Sequence, residues 1–214
     1  GLGQHVDMAL LDTQVAMLAN LGSNYLVSGK VPGRAGNAHQ NIVPYQVFEV
    51  AATANHTGKE HIILAVGNDS QFAKFCAVAN VSHLANDPLY ARNQDRVRNR
   101  AQLVPILEQV LITRTKSDWL DALTAAKVPC GPINNLAEVF TDPQVLARGM
   151  VSNMPHPLNA DLQLVANPIH MSETPVRQDL PPPLLGQHTN QVLADLLGKT
   201  THEIDLLKAK KIID

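Results

Sequence analysis

A mixed α+β chain is predicted by three features of the sequence. Tyr45-Gln-Val-Phe48-Glu-Val50 alternates as a strand does, and His61-Ile-Ile-Leu-Ala-Val66 is a short apolar run stopped by Gly67, as a buried strand would be. Much of the remainder repeats its apolar residues at intervals of three and four, between recognisable helix caps. The segment joining the two strands, Ala51 to Glu60, is polar and contains Gly58, so the strands are expected to pair as antiparallel neighbours.

From the amino terminus, Val6, Met8, Leu10, Leu11, Val15, Met17, Leu18 and Leu21 cover most of a helical surface, predicting one helix over 6–21 that is buried on more than one side. Gly22 to Asn41 holds four glycines and a proline among polar residues, which is loop composition. After the strand pair, Asp69 or Ser70 caps a helix reaching Asn80, with Phe72, Phe75, Cys76 and Ala79 on one face. In a helix over 99–113, Pro105 must either lie early or break it into two pieces, and a kink is expected there. Thr115-Lys-Ser-Asp118 has the form of a capping box for a helix carrying Trp119, Leu120, Leu123 and Ala126, which Val128-Pro129 ends. Cys130-Gly-Pro132 reads as a turn. Asp142-Pro143 opens a short helix that Gly149 closes. Strand-like pieces lie around Val151 and from Leu162 to Val165, and Pro181-Pro-Pro183 is a stiff spacer before a helix capped by Thr189 and a last helix over 201–211.

Composition excludes several classes of function. With 17 basic and 19 acidic residues among 214, no charge excess draws the chain to nucleic acid or to an anionic membrane. No apolar run is long enough to cross a bilayer, and the first residues lack a signal peptide's pattern. Cys76 and Cys130 are far apart in sequence and lack metal-ligand spacing, so they are expected to be reduced thiols in a cytoplasmic compartment, or an organelle matrix in a eukaryote. The nine histidines, His56 included, are scattered, and no metal is expected. Arg92, Arg96, Arg98 and Arg100 beside Asp87 and Asp95 read as a solvated surface, without the interleaved aromatics of a nucleic-acid platform.

Two segments carry candidate chemistry. Gly67-Asn68-Asp69 combines a conformationally free glycine, short polar side chains and a helix start whose backbone N–H groups would face an acyl or thioester group. By themselves the same residues favour a plain strand-to-helix turn with an aspartate cap. Arg34, His39, Gln40 and Tyr45 supply a phosphate-binding fork and stacking rings for a nucleotide-like ligand, or else a polar linker packed on a neighbouring domain.

The run Arg34-Ala-Gly-Asn37-Ala-His-Gln-Asn41-Ile-Val-Pro44-Tyr45, then Val66-Gly67-Asn68-Asp69, resembles the class III coenzyme A-transferases, the CaiB/BaiF family, which also contains α-methylacyl-CoA racemases. The resemblance continues through Asn86-Asp-Pro-Leu-Tyr-Ala91 with Asn93, Arg96, Asn99 and Arg100, then Val128-Pro-Cys-Gly-Pro132, Asp142-Pro-Gln-Val145 with Arg148-Gly149-Met150, and Pro183-Leu-Leu-Gly186-Gln-His188-Thr189. It implies a large domain built from both chain ends around a small inserted α+β domain, in subunits that interlock as homodimers. Here 1–43 would end the first large-domain part and form a linker, 44–129 would be the inserted domain, and 130–214 would return to the large domain; the amino-terminal α/β half would lie upstream. It further implies transfer of coenzyme A from an acyl-CoA to a carboxylic acid through an aspartyl intermediate, with coenzyme A as substrate and no metal. The nucleophilic aspartate is expected upstream, so no catalytic residue is assigned here. Gly67, Asn68 and Asp69 match the family's glycine loop, departing from the all-glycine form, while Arg34, His39, Gln40 and Tyr45 are possible contacts to coenzyme A or substrate. By itself the chain is expected to be inactive. The alternatives are a racemase, with Asp69 as an acid/base residue, and a non-catalytic dimerisation or binding module.

Overall fold

The computed structural model describes residues 2–54, 58–177 and 180–213, so His56 and the centre of the 51–60 connection lie outside the described residues. The chain divides into two units, Gly1–Ile133 and Asn134–Asp214.

The first unit begins with two short helices, α1 (Leu10–Ala16) and α2 (Ala19–Ser28), in place of the single helix expected over 6–21. None of their residues is buried, and Leu10, Leu11 and Val15 face solvent. The apolar stripe is present, but this unit builds its core from 43 onward and offers the stripe no surface to cover. The expected loop starts later than Gly22, because helix continues to Ser28. Ser23 and Ser28 hydroxyls donate to the carbonyls of Ala19 and Asn24, and Gly29, at φ 67°, terminates the helix in the left-handed conformation.

The predicted hairpin forms: β1 (Tyr45–Val50) and β2 (Glu60–Ala65) are antiparallel, with Phe48 opposite Ile62 and Val50 opposite Glu60. Alternation places Phe48, Val50, Ile62 and Leu64 on one buried face. Cys130-Gly-Pro132 corrects the expectation of a turn. It is a short strand, β3 (Cys130–Pro132), antiparallel to β2 and giving the order β1-β2-β3. Pairing across β2 decides this: Ala65 N–H donates to Pro129 O at 2.9 Å, Ile133 N–H donates to His61 O at 3.2 Å, and Cys130 lies opposite Leu64. On the far side, the edge of β1 is partly closed. Val47 N–H donates to Asn37 Oδ1 at 3.0 Å and His39 N–H donates to Tyr45 O at 2.8 Å.

Against the buried face pack α3 (Asp69–Val78), α4 (Ser82–Asn86), α5 (Asn93–Arg98), α6 (Arg100–Leu111) and α7 (Lys116–Ala125). Their cores repeat at helical spacing: Phe72, Phe75 and Cys76, then Leu103, Leu107 and Leu111, then Trp119 and Leu123, all fully shielded. Burial of each large apolar side chain is worth about 1.5–3 kcal/mol. Pro105 does not split α6, because the three buried leucines hold the helix through the position where its N–H is missing. Thr115 caps α7 as predicted, its hydroxyl accepting from Asp118 N–H.

Cys76 lies inside this core, and burial pushes its thiol up to about 11 despite the lowering influence of the Arg96 charge and a backbone hydrogen bond to Ala85. In native buffer near neutral pH, alkylation followed by mass spectrometry should modify Cys130, which is only half-buried, well before Cys76. Equal labelling rates would show that the core opens readily.

The second unit holds α8 (Leu136–Thr141), α9 (Pro143–Ala147), the antiparallel pair β4 (Val151–Asn153) and β5 (Gln163–Val165), α10 (Thr189–Asp195) and α11 (Thr201–Ala209). Asp142 caps α9 through bonds from the Gln144 and Val145 N–H groups, as its sequence predicts. Thr189 is the first helical residue of α10 rather than its cap. Thr200 and Glu203 form a reciprocal capping box on α11. Glu203 is held at about 2, chiefly by the Thr200 backbone N–H and then by the Lys199 and Thr200 side chains. A carboxyl depressed in the folded state stabilises above its ordinary titration range and loses that contribution as pH falls toward the depressed value. The first turn of α11 should therefore fray in acid, with the Glu203 carboxyl titrating near 2 by NMR.

Candidate functional site

Antiparallel pairing brings the entrance of β1 beside the exit of β2: Tyr45 lies opposite Ala65, and Val66 N–H donates to Pro44 O at 3.0 Å. The segments singled out in sequence, 39–45 and 67–69, thus emerge together at one end of the sheet. Arg34 is exposed on the linker, and among the described residues no contact draws it into this cluster.

Gly67, Asn68 and Asp69 are exposed. Asn68, not Asp69 or Ser70, is the N-cap of α3, its side chain accepting from Gln71 N–H at 2.9 Å. Gln71 Oε1 in turn accepts from Gly67 N–H at 2.7 Å. The expectation that glycine freedom shapes this turn is corrected, because Gly67 does not adopt a left-handed conformation and a Cβ there would meet Gln71 Oε1 at 3.3 Å. The Gly67 N–H is likewise already occupied.

Asp69 is released from capping for another role. Its Oδ1 accepts from Asn93 N–H at 2.8 Å and from Arg96 Nη2 at 2.9 Å. Arg96 overturns the reading of a solvated arginine cluster: it is 0% exposed. Its Nε donates to Val43 O at 2.7 Å, its Nη1 to Tyr90 O at 2.8 Å and Ala91 O at 3.1 Å, and its guanidinium lies 4.3 Å from the Phe72 ring centroid. Burial lowers its pKa, while the hydrogen bond and charge of Asp69 act in the opposite direction, as do Cys76 and Asp95. The guanidinium remains the charged form throughout the ordinary pH range.

The same face of the helical segment secures the 39–43 loop. Asn93 Nδ2 donates to Asn41 O at 2.8 Å while its Oδ1 accepts from Val43 N–H at 3.1 Å, and Arg100 Nη2 donates to His39 O at 2.7 Å and Gln40 O at 2.9 Å. Asn93, Arg96 and Arg100 recur at three- and four-residue spacing, which is the signal that distinguishes them from Arg98 on the exposed side. The His39 and Tyr45 rings stack with centroids 5.2 Å apart and 14° between planes. Asn24 on α2 donates to Gln40 Oε1 at 3.1 Å, beside a groove of about 540 Å³ lined by Val27, Lys30, Gln40 and Asn41. The arrangement presents amide and carboxylate groups on a fixed turn, next to a stacked ring pair and a groove with one lysine.

The chain matches CoA-transferase family III over residues 1–189. It is 44% identical to the succinate–glutarate CoA-transferase of Agrobacterium fabrum over 196 residues, 92% of this chain and 47% of the relative. It is 36% identical to the human succinyl-CoA:glutarate CoA-transferase over 214 residues, the whole chain and 47% of the relative. A CaiB/BaiF family protein from Brucella suis superimposes with a TM-score of 0.70 at 41% identity, covering 91% of this chain and 48% of that one. The chain thus spans about half the length of the curated relatives it matches. A match that runs through the hairpin, the 67–69 turn and the helices that brace it makes this chain a member of CoA-transferase family III.

Proposed function

We propose that the chain is part of an enzyme that transfers coenzyme A between an acyl-CoA and a carboxylic acid, with succinyl-CoA and a short dicarboxylate such as glutarate as the substrate pair. The observation that carries this reading is the 44% identity to the Agrobacterium succinate–glutarate enzyme across 92% of the chain. In this reading 44–129 is the small inserted domain, 1–43 and 130–214 belong to the linkers and large domain, and the remaining α/β half and its nucleophilic aspartate lie upstream in a subunit that interlocks with a second copy. The exposed apolar stripe of α1 fits a surface meant for that missing half.

Gly67, Asn68 and Asp69 would cover the reacting acyl group, with water excluded while a carboxylate, a mixed anhydride and a thioester succeed one another on the aspartate. His39 and Gln40, held by Arg100 and Asn24, would contact coenzyme A or substrate beside the groove together with Tyr45, whose ring stacks on His39. Asp69 is less suited to the proton transfers of a racemase, since its Oδ1 is committed to Arg96 and Asn93.

The test is an assay of the full-length protein with succinyl-CoA and glutarate, trapping the aspartyl thioester with hydroxylamine and following α-proton exchange in parallel. Transfer with an aspartyl adduct supports the proposal. Proton exchange without an adduct replaces it with a racemase, and neither activity leaves a non-catalytic binding module.

A further inference from the structure

We propose that Arg96 is a positioning residue that makes the Gly67–Asp69 turn and the 39–43 loop move as one element. Its consequence for the reaction rests on the transferase reading above, whereas the coupling itself rests on geometry alone.

The guanidinium is a rigid planar fork with five donors, and here it spends them in opposite directions. Nη2 reaches Asp69 at the turn, Nε reaches Val43 O at the end of the loop, and Nη1 is fixed by Tyr90 O and Ala91 O. Because the fork is planar, it cannot swing after Asp69 without abandoning Val43. A parallel tie joins the same two segments. Asp69 Oδ1 accepts from Asn93 N–H, and the Asn93 side chain clamps Asn41 O and Val43 N–H. Both routes from the one carboxylate oxygen therefore end on 41–43. Phe72, in the first turn of α3, stacks under the guanidinium, so the helix that the turn enters is held by the same group.

The two partners differ in exposure: the Arg96 side chain is 0% exposed and the Asp69 side chain 53%. Moving the turn alone would take the carboxylate from a buried positive charge, and moving the loop alone would take Val43 O from the same guanidinium, whereas moving both segments together with 90–100 keeps these bonds. A ligand that shifts His39 or Gln40 would thereby carry the turn with it, and the closure of the turn over the acyl group becomes conditional on occupancy of the loop.

The experiment uses the full-length enzyme with Asp69→Ala, Asp69→Asn and Arg96→Lys substitutions, and reads two quantities. The first is backbone hydrogen exchange in peptides spanning 39–45 and 67–72. Asp69→Ala is expected to speed exchange in 39–45 by at least about fivefold, although the altered residue lies in the other segment, whereas Asp69→Asn, which keeps an accepting oxygen, stays within about twofold of the parent. The second is the partition of succinyl-CoA between transfer to glutarate and hydrolysis, in which water attacks the acyl carbon, the C–S bond breaks, and succinate and free coenzyme A result. Asp69→Ala is expected to shift that ratio toward hydrolysis by about tenfold, with Arg96→Lys following it and Asp69→Asn restoring most of the loss. Unchanged exchange in 39–45 overturns the coupling, and changed exchange with an unchanged partition overturns its role in the reaction. A parent enzyme without transferase activity refutes the functional reading instead, and the exchange measurement still decides the coupling. Should Arg96→Lys fail to fold, the two substitutions at the half-exposed Asp69 carry the test.

Discussion

Replacing Arg96 with alanine is expected to cost about 3–5 kcal/mol of stability, from the cavity it leaves and the backbone carbonyls it strips of their donors. The substitution empties the volume of one of the largest fully buried side chains and removes a guanidinium from above Phe72. It also strips the hydrogen-bond donors from Val43 O, Tyr90 O and Ala91 O, each a backbone acceptor at or near the core. The ion pair with Asp69 contributes least, because that carboxylate is about half exposed and water can replace its partner. Urea unfolding followed by the fluorescence of Trp119 measures the change. A loss below about 1 kcal/mol would mean that water enters and rebuilds these bonds, and the description of Arg96 as an internal clamp would fail.

Trp119 carries the second large effect. It is fully buried, its indole N–H donates to Leu111 O at 2.7 Å, and Arg114 lies 4.5 Å from its ring centroid while also donating to Val78 O at 2.9 Å. The ring therefore joins the end of α6 to α7, and Arg114 extends the junction to α3. Trp119→Ala is expected to cost about 3–5 kcal/mol from lost burial and the residual cavity. Trp119→Phe retains much of the apolar volume and isolates the polar component, with about 1–3 kcal/mol expected from leaving the Leu111 carbonyl without its donor. Urea unfolding by circular dichroism separates the two. If phenylalanine is tolerated without loss, packing alone accounts for the position.

The hairpin could be read from sequence because a period of two, a glycine-bearing connection and an apolar stop at Gly67 are local signals, and the same holds for the Thr115 and Asp142 caps. Strand β3 could not, since three residues around Gly131 have no intrinsic preference that outweighs turn chemistry, and their conformation is settled by the unpaired side of β2. Gly67 to Asp69 was found as a strand-to-helix junction, but its bracing was invisible. Arg96 stands in a stretch with Arg92, Asp95, Arg98 and Arg100, where composition suggests solvent, and only the folded position of Val43 and Asp69 turns one of these charges inward. His39, Gln40 and Tyr45 came together with the turn because antiparallel pairing requires it, whereas Arg34 lies too early in the linker to share that constraint.

The linker that carries Asn37 and His39 also touches the outer strand of the sheet, and this contact bears on solubility. An unpaired strand edge is a template on which another chain can add its own strand. Asn37 Oδ1 and the His39 N–H occupy the bonding positions of Val47 and Tyr45 on that edge, so the linker acts as a guard against chain-to-chain sheet growth. Variants shortened across 33–41 would therefore be limited by ordered self-association before they were limited by unfolding, even though the core they share with the parent begins only at Val43.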